Sequence, residues 1–304
     1  MNNNYKLEFS LSLDESCYVV IGCEFIDDNE CNIIIPTSYN GLPVKAIAGD
    51  AFYGCETLKS IVIPETIVAI GDWAFSECIS LTSIEIPSSV KTIGKWTFNE
   101  CVNLKNVFLH DGLVSIDYGA FIDCNSLESI FIPRSVDNIE ESCFDRLPSL
   151  VSIDVDGDNL NFCSHNGVLF TKYLKTIINY PAMKKENSYS VPESVNVISS
   201  GAFYGCKKLT EIILPKNLKM ICGGAFNNCL SLKSINIPKE IKKIEGMTFY
   251  NCKALVQLEI PSNIKEIGED AFLLSGIKKI IYESDDQTDL LNKVLPTIEL
   301  IKKE

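Results

Sequence analysis

The apolar positions of this chain recur with two periods at once. Within short segments they alternate with polar residues, as in Ile84-Glu85-Ile86, the mark of a β-strand with one buried face. Over longer distances the same segment returns every 23 residues: Phe52, Phe75, Phe98, Phe121 and Phe144 stand one period apart, as do Phe203, Phe226, Phe249 and Phe272. A fixed period of this length predicts a solenoid, in which each repeat buries its apolar face only against the repeats beside it.

One repeat reads as one turn of a coil. Between Leu81 and Cys101, Ile84 and Ile86 form the strand, and Pro87 ends it because it cannot donate a ladder hydrogen bond. Val90 and Ile93 point inward from a second extended segment, and Gly94 lets the chain turn. Phe98 and Cys101, three apart, then fit a single helical or 3₁₀ turn. Stacking sets Ile47, Ile70, Ile93, Ile116, Ile139, Ile198, Ile221, Ile244 and Ile267 in one inner ladder. Each such side chain contributes about 1.5–3 kcal/mol on burial, yet no repeat could fold alone.

The array is interrupted once, since 59 residues separate Phe144 from Phe203. Gly167–Thr171 and Lys175–Pro181 read as an antiparallel hairpin in the extra stretch. The expected organisation is an N-terminal cap at 1–40, repeats at 41–155, a hairpin insertion at 156–188, repeats at 189–283 and a C-terminal cap at 284–304. The strands Tyr18–Ile21 and Asn32–Ile35 would cover the first rung. Leu290, Leu291 and Val294, at helical spacing, would cover the last. An uncovered rung would expose core and strand edge.

With Val-x-x-Ile-Gly-x-x-Ala-Phe-x-x-Cys-x-x-Leu-x-x-Ile-x-Ile-Pro in hand, the chain resembles the BspA-like leucine-rich repeat family over about residues 18–283. Asn159–Phe170 looks like that family's usual insertion, and Tyr39-Asn40-Gly41-Leu42-Pro43-Val44 like its lead-in to the first full repeat. The resemblance implies a leucine-rich-repeat solenoid, a right-handed coil with a parallel β-sheet face, short helical turns and a hairpin insertion. It also implies a non-enzymatic binding module of the surface-antigen type, whose characterised relatives bind extracellular-matrix or cell-surface proteins.

Composition adds limits. The chain is 46% hydrophobic with a net charge of −13. Residues 1–150 hold 8 Lys and Arg against 22 Asp and Glu, a net −14, which argues against nucleic acid as partner. No apolar run approaches the ~18 residues that cross a bilayer, so no membrane insertion is expected. Seven of the thirteen cysteines (Cys55, Cys78, Cys101, Cys124, Cys206, Cys229 and Cys252) share the position three after the Phe. Rungs ~4.8 Å apart are wide for the ~3.8 Å Cβ separation of a disulfide, so reduced, buried thiols are expected. Those thiols, the absence of an Asn-x-Ser/Thr sequon and an opening without a secretory pattern predict a cytoplasmic protein; the resemblance predicts the cell surface or secretion. No wall-sorting signal is read at Leu295–Glu299.

Candidate chemistry is sparse. There are two histidines, His110 and His165, and no nucleophile, phosphate-loop or paired-cysteine motif, so no catalytic residue and no cofactor are assigned. Asp154-Val155-Asp156-Gly157-Asp158 resembles the start of a calcium loop but has its Gly too early and His165 at the place of the closing Glu, and reads as a polar turn, not a metal site. His110, where other repeats have Pro, reads as an exposed strand end.

The outward strand positions run Val62, Glu85, Phe108, Phe131, Asp154, Ile213, Asn236, Glu259. Because Val107, Leu109, Ile130 and Ile132 face inward, alternation sends Phe108 and Phe131 outward from adjacent rungs, flanked by Glu85 and Asp154. These four are the candidate partner-binding residues, with mutual stacking or cover by the insertion hairpin as the structural reading of the rings. Trp73 and Trp96 fall on adjacent rungs just before the Phe and read as packing on the helical side. Lys219, Lys242, Lys243 and Lys265 read as a solvated stripe. The leading function is protein binding through the strand face; the alternative is an intracellular structural or scaffold repeat protein without a dedicated ligand.

Overall fold

A computed structural model of the chain describes residues 5–25, 31–294 and 297–303. The opening residues Met1–Asn4, and Leu295 and Pro296 of the segment read for a sorting signal, lie outside the described residues. Two compact units divide the chain, Met1–Phe162 and Cys163–Glu304.

Unit 1 is a parallel-strand β-solenoid with two columns of strands. One column stacks Leu42–Ile47, Ala69–Ile70, Thr92–Ile93, Ser115–Ile116 and Asn138–Ile139 in parallel, with the inner Ile in register from rung to rung. The other holds Cys31–Ile34 paired with Leu58–Val62, Ser83–Ile86 with Asn106–Leu109, and Ser129–Ile132 with Ser152–Val155. Of the two strands expected to cover the first rung, one is Tyr18–Phe25, parallel to Leu42–Ile47, and the other is Cys31–Ile34, parallel to Leu58–Val62. A strand with no counterpart in the repeat, Tyr5–Leu11, pairs antiparallel outside Tyr18–Phe25.

The core is the ladder that the period implies. Phe52, Phe75, Phe98, Phe121 and Phe144 stack at centroid distances of 5.2, 5.5, 5.3 and 6.0 Å. The segments carrying them differ in detail from a helical turn. They are chained turns closed three residues apart, such as Cys55 N–H to the Phe52 carbonyl, with further bonds to the next rung, such as Phe52 N–H to the Ala74 carbonyl. Two residues four apart in each turn have left-handed φ, for example Trp73 (60°) and Glu77 (61°), and this conformation stops a helix from propagating.

All thirteen thiols are free. Ladder thiols do more than fill space: Cys78, Cys101 and Cys124 donate S–H to the carbonyls of Phe52, Phe75 and Phe98, one rung back, at 3.1, 3.0 and 3.1 Å. Burial holds these thiols well above the usual range, so the donor proton stays in place.

Unit 2 repeats the architecture around Phe203, Phe226, Phe249 and Phe272, stacked at 5.3, 5.5 and 5.8 Å. The first ring of that stack is Tyr180, one period before Phe203 and 5.2 Å from it. The expected hairpin is present, Val168–Thr171 antiparallel to Thr176–Asn179, but its second arm also pairs in parallel with Val197–Ile198. That arm is therefore already a rung, with Ile177 in the inner ladder. At the C-terminal end the helix Thr288–Val294 brings Leu291 into the core, and Glu299–Lys302 adds a parallel strand beside Lys279–Tyr282.

Buried side-chain amides serve both units. Asn159 donates to the carbonyls of Pro133 and Val136, both at 2.9 Å, and accepts from the N–H groups of Asn161 and Phe162 at 2.9 and 2.8 Å. Gln287 donates to the Pro261 carbonyl at 2.8 Å and accepts from the N–H groups of Glu283 and Ser284 at 3.4 and 3.3 Å.

Candidate protein-binding face

The strand pattern that buries Val107 and Leu109 leaves Phe108 outward, and the same alternation acts at Ile130, Phe131 and Ile132. Phe108 is 54% exposed and Phe131 49%. Register sets Glu85 directly opposite Phe108, and Asp154 directly opposite Phe131. Strand Asn106–Leu109 lies beside Ser129–Ile132, although no hydrogen-bonded ladder joins these two. The outward row therefore reads Glu85, Phe108, Phe131, Asp154, at the junction of two two-stranded ladders. Ring contacts are numerous in the core, but among the described residues none joins Phe108 to Phe131. The two rings are thus half-exposed and not stacked on one another.

Charges at the margins are partly engaged. His110 at its exposed strand end places Nε2 2.8 Å from a Glu85 carboxylate oxygen. Asp154 accepts from the Ser152 hydroxyl at 3.1 Å. Arg134 pairs with Asp111 at 2.9 Å, and Lys105 with Glu128 at 3.1 Å. The row extends further at Val62 and Ile34, which are 56% and 63% exposed and opposite one another. These apolar and aromatic groups present an unpaired surface ringed by polar residues.

In unit 2 the same row keeps Ile213 exposed but engages its two polar members within the fold. Asn236 turns back onto Leu214, accepting from its N–H at 2.7 Å and donating to its carbonyl at 3.0 Å. Glu259 pairs with Lys303, and Glu283 with Lys239 at 3.3 Å, along an open groove of about 450 Å³. Lys243, in the stripe expected to be solvated, pairs with Glu245 and Glu266 at 3.0 and 2.8 Å.

Asp154, Asp156 and Asp158 do not converge: Asp154 stands on the strand, while Asp156 accepts from the Asp158 N–H at 2.9 Å and shapes the turn. Among the described residues no group of three His, Cys, Asp or Glu is placed to hold a metal ion, and no helix is long and apolar enough to cross a membrane.

Trp73 and Trp96 stack at 5.2 Å on the turn side. Tyr53 and Tyr118 extend their row, at 6.5 Å from Trp73 and 5.1 Å from Trp96. Sequence reading missed both tyrosines because they occupy other positions of the repeat. Missed too was Tyr180, whose signal was its place one period before Phe203.

Comparisons with known proteins bear on the fold. Among curated proteins none matches the chain in sequence. Among solved structures, the pneumococcal vaccine antigen PcpA superposes with a TM-score of 0.81 at 22% identity, over 100% of this chain and 98% of that one. A leucine-rich cell surface protein of Faecalibacterium prausnitzii gives a TM-score of 0.74 at 22% identity, over 100% and 94%. A leucine-rich repeat protein of Bacteroides ovatus gives 0.50 at 24% identity, over 100% and 99%. At these identities the likeness concerns the fold. The model of the BspA-type leucine-rich repeat region matches residues 45–166 and 179–293, and the chain belongs to that family.

Proposed function

We propose that the protein is a non-enzymatic recognition module that binds another protein through the strand face of unit 1, with Phe108 and Phe131 as anchors and Glu85 and Asp154 at their margins. The family is commonly protein-binding. The observation that supports the reading is the pair of half-exposed phenylalanines on adjacent rungs, with no ring contact between them among the described residues. Aromatic anchors of this kind supply most of the energy of many interfaces, while polar neighbours set specificity. An extracellular-matrix or cell-surface protein is the partner class that the family resemblance implies.

The test compares the wild-type chain with F108S/F131S for binding to immobilised matrix and cell-surface proteins. The variant should fold as the wild type, because neither ring is in the core. Its affinity should fall by about 2 kcal/mol or more, roughly 30-fold. Unchanged binding by the folded variant would move the contact surface elsewhere.

The thirteen free thiols favour a second reading, an intracellular scaffold, because such thiols persist in reducing compartments. Fractionation of the native cells separates the two.

A further inference from the structure

The turn side of unit 1 carries an aromatic row that the fold does not require. The residue two before each core Phe has left-handed φ, and at this place stand Asp50 (59°), Trp73 (60°), Trp96 (58°), Gly119 (65°) and Ser142 (58°). Unit 2 uses Gly201, Gly224, Met247 and Asp270 there. Small or locally hydrogen-bonding residues suit that conformation, whereas a bulky aromatic one is unusual in it. Two successive tryptophans nevertheless occupy it, stacked with their planes 15° apart. Gly119 completes the arrangement: a Cβ there would lie 2.9 Å from the Trp96 ring.

Tyr53 and Tyr118 stand at the ends, turned 68° and 66° from the indole planes, and are 48% and 37% exposed. The row is thus open to solvent along its length, with both indoles partly exposed.

Charge along the row is mainly acidic, with Lys95, the exposed residue before Trp96, as an exception. The turns 50–56, 73–79, 96–102 and 119–125 contain Asp50, Glu56, Glu77, Glu100 and Asp123 but no Lys or Arg. Glu77, Glu100 and Asp123 form a column beside the rings, one per rung, because Glu77 N–H donates to the Asn99 carbonyl and Glu100 N–H to the Ile122 carbonyl. Like charges stacked at rung spacing repel, and the chain relieves this at one end only, where Arg146 grips Asp123 with Nε 2.9 Å from its carboxylate. At the other end Glu77 takes the Tyr53 hydroxyl. Glu100 has no ion-pair partner among the described residues. The Tyr53 hydroxyl is held above its ordinary pKa by the Glu77 hydrogen bond first, with the charges of Glu100 and Asp50 adding to it.

We propose that this row is a second docking surface, and that its occupant is an extended Lys- or Arg-rich segment of a partner protein. Basic side chains would lay their methylene stems on the rings of Tyr53, Trp73, Trp96 and Tyr118, with their heads on Glu77, Glu100 and Asp50. Such residues bury stem and head in different surroundings, and Arg matches carboxylates bidentately. The Arg146–Asp123 pair shows the same contact made within the chain.

Trp73 and Trp96 are the two tryptophans of the protein, so intrinsic tryptophan emission reports on this row alone. The experiment titrates the full chain with the peptide Arg-Gly-Arg-Gly-Arg-Gly-Arg and with its Glu-Gly counterpart. The Arg peptide should change the emission saturably and less at high salt, and the Glu peptide should not. E77Q/E100Q should weaken binding at least tenfold, while E193Q/E240Q, which removes equal charge from unit 2, and F108S/F131S should leave it unchanged. Equal weakening by the two Gln variants would reduce the effect to net charge and overturn the proposal. Binding that leaves the tryptophan emission untouched would overturn it as well.

Discussion

Replacing Asn159 by Ala removes a cross-link made by a single side chain. Asn159 is fully buried, and its amide satisfies the Pro133 and Val136 carbonyls on one side and the Asn161 and Phe162 N–H groups on the other. The Pro133 carbonyl retains the Val136 N–H at 3.3 Å, and exposed Asn161 can turn to water. Val136 and Phe162 are buried and 1% and 6% exposed, so the burden falls on their backbone groups. A buried group deprived of its partner costs about 1–3 kcal/mol, which for two such groups puts N159A at about 2–6 kcal/mol of destabilisation. N159D should do at least as badly at pH 7, since it keeps the two acceptor bonds but sets carboxylate oxygens against two carbonyls. Protonation should partly rescue it at acid pH by restoring one donor. Urea unfolding followed by circular dichroism gives the stability, and amide hydrogen exchange of the 156–165 peptide locates the loss. An N159A midpoint within about 0.5 kcal/mol of wild type, with unchanged exchange there, would refute the accounting.

Two further outcomes follow from burial. Cys101 and Cys124, with no exposed surface and thiols held well above their usual pKa, should resist alkylation in the native protein and react once it is unfolded; labelling resolved by mass spectrometry checks this, and rapid native modification of either would contradict it. Asp145 is pushed up from 3.8 to about 6, chiefly by burial, against a hydrogen bond from Ser142. Since the folded pKa is the higher, its favourable contribution is complete below pH 3.8 and lost as pH rises through 6. D145N should therefore be near neutral at pH 3.5 and stabilising by about 1–3 kcal/mol at pH 7.5, as read from urea midpoints; an advantage that does not grow with pH would count against it.

What the sequence revealed and what it hid divide along physical lines. Phe75, Phe98 and Phe121 were legible because a solenoid core must place the same volume at the same position on every rung, so periodicity records packing directly. Alternation was equally direct for Phe108 and Phe131, since a strand offers each side chain only two directions. Asn159 and Gln287 left no such trace: each acts once, at a place where the array changes, and its partners lie up to 26 residues away. The end strands Tyr5–Leu11 and Glu299–Lys302 were hidden for the same reason, as they follow no repeat. Tyr180 kept the period but changed the letter, so a search for Phe passed over it. Tyr53 and Tyr118 escaped because left-handed residues in the turns bring different repeat positions onto one surface, which no single-register comparison detects.

That division says where function should be sought in such a chain. An inward residue is constrained by the rungs above and below, and departures there are penalised through lost packing. An outward residue has neighbours on one side only, so a departure from the repeat costs the fold little and survives for other reasons. Phe108 and Phe131 depart toward apolar on a face where Glu85 and Asp154 show that charge is accepted. Trp73 and Trp96 depart toward bulk at a backbone conformation where Gly119 and Ser142 show that bulk is unnecessary. In unit 2 the polar outward residues Asn236 and Glu259 are bound to Leu214 and Lys303, and the apolar one, Ile213, is exposed but not aromatic. Unit 1 keeps its aromatic rows uncovered, and the two rows, on different sides of the rung and with different chemistry, can be disabled separately by F108S/F131S and by E77Q/E100Q.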